Sequence, residues 1–552
     1  METQRAVIAI ALSVAVLMMY QFFFLPAPAP VPETAKTTES SGAAPAGPPA
    51  RTAEVPILSG NQSVAPANRL PATETGRDIP VETGLFTAVF SEANGVVKSF
   101  RLKEYRENND PAAADKELIR TASADGLPLF FSWGIEPARA EQALYTAKVD
   151  QLVADGVAAK NLIMTATLPS GLAIEKTYSF KADDYRIALT VTVHNNSAAP
   201  LQGAPYLTMT NRPFTDEVSQ FLFQGPAVYL DGTLNEVKVK DIKEAGGSKS
   251  FTGNVRWAAY EDTYFMTSII PQEMGLTTAY FSLADEEKVT TVLAGAADTI
   301  EAGGSKQYQY TLYFGPKQVS LLKAMGNDLE RSVDFGWFDV LARPTLYLLN
   351  FFYKFVGNYG IAIILVTVLI KLLFWPISHK GMKSMKTLQK IQPKMAKLRE
   401  KYKDDKERQQ QEMMKLYQTY KVNPLGGCMP MLLQIPVFFA LYKVLLQSIE
   451  LRHAPFMLWI TDLAAPDRLY IGFDIPWLHG IPVLTLLMGG TMFIQQKMTP
   501  STGDPMQAKI MMFMPVIFTF MFLNFASGLV LYWLLNNLLT IAQQYMINQQ
   551  AD

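Results

Sequence analysis

The sequence is poor in the residues that most chemistry requires. Its single cysteine, Cys428, excludes an intramolecular disulfide framework and a thiolate zinc cluster. The four histidines stand at 194, 379, 453 and 479, too scattered for metal-ligand spacing. There is no phosphate-binding glycine loop, no GxSxG elbow and no HExxH. These absences argue against an enzyme and leave no cofactor to name. Carboxylates are missing where they would matter most. No Asp or Glu occurs from Val340 to Arg399, nor in the apolar runs 425–448, 481–495, 510–526 and 529–545. A transporter coupled to protons or sodium needs intramembrane carboxylates or broken helices to hold its ion.

What is present is a long, divided chain. Its 552 residues are 49% hydrophobic, slightly high for a soluble protein, and the net charge of -1 hides a separation. Residues 27–335 are acidic by about ten charges, whereas residues 377–423 carry about +8. Residues 6–25 form an apolar run behind Arg5 that is long enough to span a bilayer. A cleavable signal peptide competes with that reading, but proline crowds the place where cleavage would occur, so 1–25 is assigned as an uncleaved anchor with a cytoplasmic N-terminus. Residues 26–84 are rich in Pro, Ala, Thr, Ser and Gly and are assigned as a flexible tether.

Residues 85–335 form the next unit, which reads as mostly β up to 315. Ile187, Leu189, Val191 and Val193 alternate with Ala188, Thr190 and Thr192, the period of a half-buried strand. Similar runs at 85–90, 162–168, 277–283 and 307–314 predict one large antiparallel sandwich. Residues 336–357 read as an amphipathic helix lying along the outer interface, closed by Gly357. A span at 358–377 follows, then a basic helical hairpin at 378–423 with apolar positions Met382, Met385, Leu388, Met395 and Leu398 against Met413, Tyr417 and Tyr420. The remaining assignments are spans at 424–449, 481–496, 510–526 and 527–547. They are joined by an outer loop at 450–480 and a cytoplasmic loop at 497–509, and a short tail, 548–552, ends the chain. Lys/Arg asymmetry places both termini in the cytoplasm and the β-domain outside, six spans in all.

One residue stands out in the membrane block. Lys371 lies within an otherwise apolar span, and a cation at bilayer depth costs about 2.5–3.5 kcal/mol on insertion scales. It either snorkels toward the helix end near Pro376 or lines a wet pocket open to the cytoplasm. Thr367 one turn earlier, with Gln434, Asn524, Asn536 and Asn537 in the later spans, could hydrogen-bond between helices or wet such a pocket. With no counter-ion in the bilayer, the combination favours the pocket.

From Lys421 the chain reads KVNPLGGCMPMLLQIPVFFALYKVL, then LRHAPFMLWITDL, QQKMTPSTGDPMQAKIMMFMPVIF and SGLVLYWLLNNLLTIAQQ. These stretches closely resemble the YidC/Oxa family of membrane protein insertases, and the anchor, tether and β-domain resemble its Gram-negative form. The resemblance implies an insertase without ATP or ion coupling, in which five spans form a groove open to cytoplasm and lipid. It places a positive residue in the first of these spans. That residue is usually arginine, and here it is Lys371, which keeps the charge but loses the planar fork. Thr367 matches a groove-lining threonine, Tyr532 matches a tyrosine beside the substrate path, and Trp533 replaces a second tyrosine. Gln434 and Asn536 complete the expected groove. The β-domain resembles the family's super-sandwich, similar to sugar mutarotases, with no sugar chemistry implied. The implied partners are nascent membrane proteins, the Sec translocon and membrane lipids, with the ribosome and the signal recognition particle receptor as further candidates and no DNA. The short tail lacks the basic extension with which some relatives hold ribosomes. A solute transporter or channel, and an envelope enzyme carried by the β-domain, stand as the alternatives.

Overall fold

The computed structural model describes residues 76–549 except 111, 123–125, 138–139, 216–221, 274, 286, 421–428, 473–477 and 499–504. The anchor expected at 1–25, nearly all of the tether, and the Asn423-to-Cys428 run lie outside the described residues.

Residues 78–316 form three sheets. The largest has nine strands, and at its centre Arg186–Asn195 pairs antiparallel with both Leu172–Phe180 and Ser305–Pro316. Ile187, Leu189, Val191 and Val193 on that central strand are all buried, at 1% exposure or less, while Ala188 and His194 face outward. The alternation follows from the two-residue period of a pleated strand with one wet face. Aromatic side chains fill the interior, with Trp257, Tyr178, Tyr260, Tyr313, Phe86 and Phe100 fully buried. Phe86 and Phe100 stack at 4.4 Å, an arrangement that adds to area burial.

The sheet structure begins earlier than the pattern predicts. Asp78–Glu82 pairs antiparallel with Phe86–Ser91 and parallel with Leu152–Val153, so the last residues assigned to the tether belong to the β-domain. Pro80 disguises this strand, because proline cannot donate to a ladder and reads as a breaker. Ile79 and Val81, on either side of it, are buried.

Nine helices are described. Two short ones, α1 (Val239–Glu244) and α2 (Val319–Met325), belong to the β-domain. The helical block follows: α3 (Asp339–Val356), α4 (Tyr359–Lys401), α5 (Lys406–Thr419), α6 (Met429–Gln447), α7 (Val483–Met498), α8 (Pro505–Phe522) and α9 (Ser527–Gln549). Gly357 at φ +63° ends α3 by returning its N–H to the Tyr353 carbonyl at 2.8 Å. Asn358 then caps α4, its side chain accepting from the Ile361 N–H at 3.1 Å. The break between α3 and α4 is therefore a C-cap and an N-cap back to back.

α4 is one continuous helix of 43 residues, not a span followed by a separate hairpin limb. Pro376 and Pro393 lie inside it. Each removes one backbone donor, yet the helix runs through both. Its far half still packs against α5, with Leu388, Ile391 and Met395 buried against Met413, Leu416 and Tyr417. By length and composition α4 is long and apolar enough to cross a bilayer, and it is the one such helix among the described residues. Gln434–Gln447 and Met511–Phe522 are shorter apolar helices. α9 packs against both α4 and α7.

Candidate functional site: a lysine-centred polar seam

Lys371 is partly buried on α4, and its side chain turns inward to α9 instead of running free along its own helix. The ammonium donates to the Thr540 Oγ1 at 2.7 Å and to the Asn536 Oδ1 at 3.3 Å. Thr540 in turn donates to the Asn536 carbonyl at 2.6 Å, which fixes its hydroxyl to accept from the lysine. No carboxylate among the described residues lies within 4 Å of this cation. Two of its three N–H donors therefore rest on neutral oxygens, and the positive charge is solvated but not cancelled.

The contact belongs to a longer seam. Ser378 accepts from the Gln543 Nε2 at 2.9 Å, and both side chains are buried. Lys386 donates to the carbonyls of Asn548 at 2.7 Å and Ile547 at 3.3 Å, capping the last turn of α9. Positions 371, 378 and 386 recur about every two turns on α4, so one polar stripe meets one polar stripe along two parallel helices. A second stripe on α9 faces α7. There Asn537 donates to the Thr491 hydroxyl at 3.3 Å and Gln544 donates to the Met498 carbonyl at 2.6 Å.

The six residues expected from the sequence separate into three places. Lys371 and Asn536 meet directly. Tyr532, one turn before Asn536, is buried and faces Gln434 on α6. Trp533 packs edge-on against Phe438 at 4.8 Å and against Phe522 at 5.1 Å, so Tyr532 and Trp533 form an aromatic wall between α6, α8 and α9. Thr367 is buried, but its hydroxyl donates to the Ile363 carbonyl of its own helix at 2.6 Å and does not reach Lys371. Of the other polar residues, Asn524 is exposed and accepts from Arg468 at 3.0 Å. Thr540 was missed, although its place one turn beyond Asn536 puts it on the same helix face. A threonine in an apolar helix gives no signal by itself. Among the described residues no group of three His, Cys, Asp or Glu side chains is placed to hold a metal.

Comparison with known proteins places the chain in a family. Residues 351–552 match the family model described as 60Kd inner membrane protein, and residues 78–348 match the YidC periplasmic domain. The membrane protein insertase YidC of Pelobacter propionicus is 45% identical over 517 residues, covering 93% of this chain and 94% of its own. That of Geobacter metallireducens is 43% identical over 515 residues, covering 92% and 91%. A crystal structure described as an active YidC insertase with the first transmembrane domain resolved aligns at a TM-score of 0.36 and 18% identity, over 88% of this chain and 95% of its own. With relatives this similar across nearly its whole length, the chain belongs to the YidC family of membrane protein insertases.

Proposed function

We propose that this insertase works through a hydrophilic groove on the inner side of α4, α6 and α9, in which Lys371 receives the polar or acidic outer segment of a client. Insertion of nascent membrane proteins is the family's activity, it is not enzymatic, and the family is one of inner-membrane proteins with a periplasmic domain. The observation that carries the groove reading is the uncancelled charge of Lys371, held by Asn536 and Thr540 with no carboxylate beside it among the described residues. A buried ammonium so placed attracts an anionic segment without locking onto a partner of its own. Polar walls within the bilayer replace part of the segment's hydration and shorten the hydrocarbon it must cross. The client's apolar span then partitions into lipid and drives the step.

In this reading six spans carry the chain across the inner membrane, with both termini cytoplasmic, the β-domain outside and α3 along the outer headgroups. Thr367, Gln434, Tyr532 and Trp533 line the groove with Lys371 and Asn536. The basic α4–α5 hairpin meets anionic lipid or a ribosome carrying a client, with the signal recognition particle receptor as a further contact, and the Sec translocon shares larger clients. Among the described residues no carboxylate lies beside the groove cation, which suits a mechanism without ion coupling.

The test is insertion of a single-span client with a short acidic outer tail into liposomes containing only the purified full chain, read by protease protection of the tail. Lys371→Arg, which keeps the charge, is expected to act within about twofold of the parent. Lys371→Glu is expected to lower protection at least about tenfold, the equivalent of about 1.4 kcal/mol. Normal insertion of the acidic-tailed client by Lys371→Glu would falsify the charge-attraction mechanism.

A further inference from the structure

A cavity of about 510 Å³ lies between the β-domain and the helical block, a volume within the range of small-molecule sites. Its walls include Glu104 of the β-domain, Tyr353 near the end of α3, Tyr359 at the start of α4, and Glu450 and Arg452 after α6. Of the charged groups that face this space, Glu450 and Arg452 stand two residues apart in the chain and do not pair. Arg452 donates to the carbonyls of Arg106 at 2.7 Å and Glu107 at 3.1 Å and sits 5.3 Å from the Phe265 ring centroid. No carboxylate among the described residues comes within 4 Å of it. The Asn350 side chain bonds to the Glu450 carboxylate, whose Oε1 is buried with no hydrogen-bond partner among the described residues. Burial pushes the Glu450 carboxyl pKa up and the Arg452 guanidinium pKa down. One buried carboxylate oxygen is left without a donor in the same cavity as a guanidinium that carbonyls solvate but do not neutralise, an arrangement that suits a ligand bearing both complementary charges.

We propose that this cavity holds the headgroup of a zwitterionic phospholipid of the outer leaflet, its ammonium on Glu450 and its phosphate on Arg452. The rings of Tyr353 and Tyr359 stack at 3.8 Å beside Glu450 and offer π-faces to the ammonium. Arginine is the side chain suited to phosphate. Phe351 and Phe355, on the face of α3 opposite Tyr353, are 52% and 73% exposed and meet edge-on at 4.9 Å. An apolar outer face of this kind sets α3 against lipid and its Tyr353 face, with the cavity, at headgroup depth, where a phospholipid and not a water-soluble zwitterion is the abundant occupant. The proposal rests on α3 lying along the outer headgroups, as set out above.

The experiment reconstitutes the full chain in nanodiscs holding equal parts of phosphatidylethanolamine and phosphatidylglycerol with matched chains, and reads retained lipid by native mass spectrometry. The parent is expected to retain the ethanolamine lipid at least about tenfold over the glycerol lipid, the factor one charge-assisted contact supplies. Glu450→Gln, nearly isosteric, is expected to abolish that preference and leave retention of phosphatidylglycerol unchanged, while Arg452→Gln weakens both. Equal retention of the two lipids by the parent overturns the proposal. So does cross-linking of a client's outer tail, in place of lipid, to a photoreactive residue at position 353. A nitroxide at Phe351→Cys in a Cys428→Ser background tests α3 separately. A label in lipid with no headgroup preference sinks the site alone, and a label in water sinks the α3 reading together with it.

Discussion

At the scale of single residues, the molecule handles two buried lysines in opposite ways. Lys371 shares its charge with two neutral oxygens and keeps it available. Lys176, fully buried in the β-domain, gives all three of its protons to backbone carbonyls, those of Gly95 at 2.9 Å and of Asn94 and Leu129 at 3.1 Å. Desolvation pulls its pKa down to about 7. Between there and the unfolded value of about 10.4 the unfolded chain binds more protons than the native one, so stability rises with pH across that window. The expected result is a melting temperature that climbs from pH 7 to 9 in the parent and climbs less in Lys176→Met. The same substitution strands three carbonyls and is expected to cost about 3 kcal/mol or more, measured by chemical unfolding of the full chain. Lys371 and Asn536 were legible in the sequence because charge and amide groups are rare in apolar runs. Thr540 and the self-bonded Thr367 were not, since a threonine hydroxyl can bond within its own helix or across to another, and only the fold decides which.

At the scale of elements, small residues set how closely helices approach. A Cβ added at Gly489 on α7 would lie 2.1 Å from the Thr519 Oγ1 on α8, whereas one at Gly490 would meet nothing within 4 Å. Gly489→Ala is therefore expected to destabilise the purified protein by about 1–3 kcal/mol through overpacking, and Gly490→Ala to leave it near the parent value. Thr519→Ala added to Gly489→Ala should recover much of the loss, and thermal unfolding of the four proteins closes the cycle. The strands were legible wherever apolar and polar residues alternate, as at Thr277–Leu283, which the pattern located without error. Elements containing proline were misjudged in both the β-domain and the helical block. Pro80 concealed a strand, and Pro376 made one helix look like two. In each case neighbouring contacts outweigh the missing donor: burial of Ile79 and Val81 in the first, and the Ser378–Gln543 bond just past Pro376 in the second.

At the scale of the whole molecule, the β-domain touches the helical block through few specific bonds. Among the described residues, Asn109 donates to Thr461 at 3.1 Å, and Arg452 reaches the Arg106 and Glu107 carbonyls and sits 5.3 Å from the Phe265 ring centroid. None of these contacts touches Lys371 or its partners. Deletion of residues 85–315, with α3 kept, is therefore expected to leave insertion within severalfold of the parent in the liposome assay. Complete loss would make the domain part of the groove machinery. The length of α4 has a mechanical consequence. At about 1.5 Å per residue its 43 residues reach about 64 Å, roughly twice the hydrocarbon thickness of a bilayer. The seam to α9 extends past Pro376 as far as Lys386, so the first interior proline beyond it is Pro393, about 33 Å along the helix from Lys371 and about 12 Å from Lys401. A swing of about 10° there would carry the end of α4 about 2 Å and leave the bonds of Lys371 unchanged. The proposed receiving charge is thus insulated from the hairpin: the tip can shift without disturbing it.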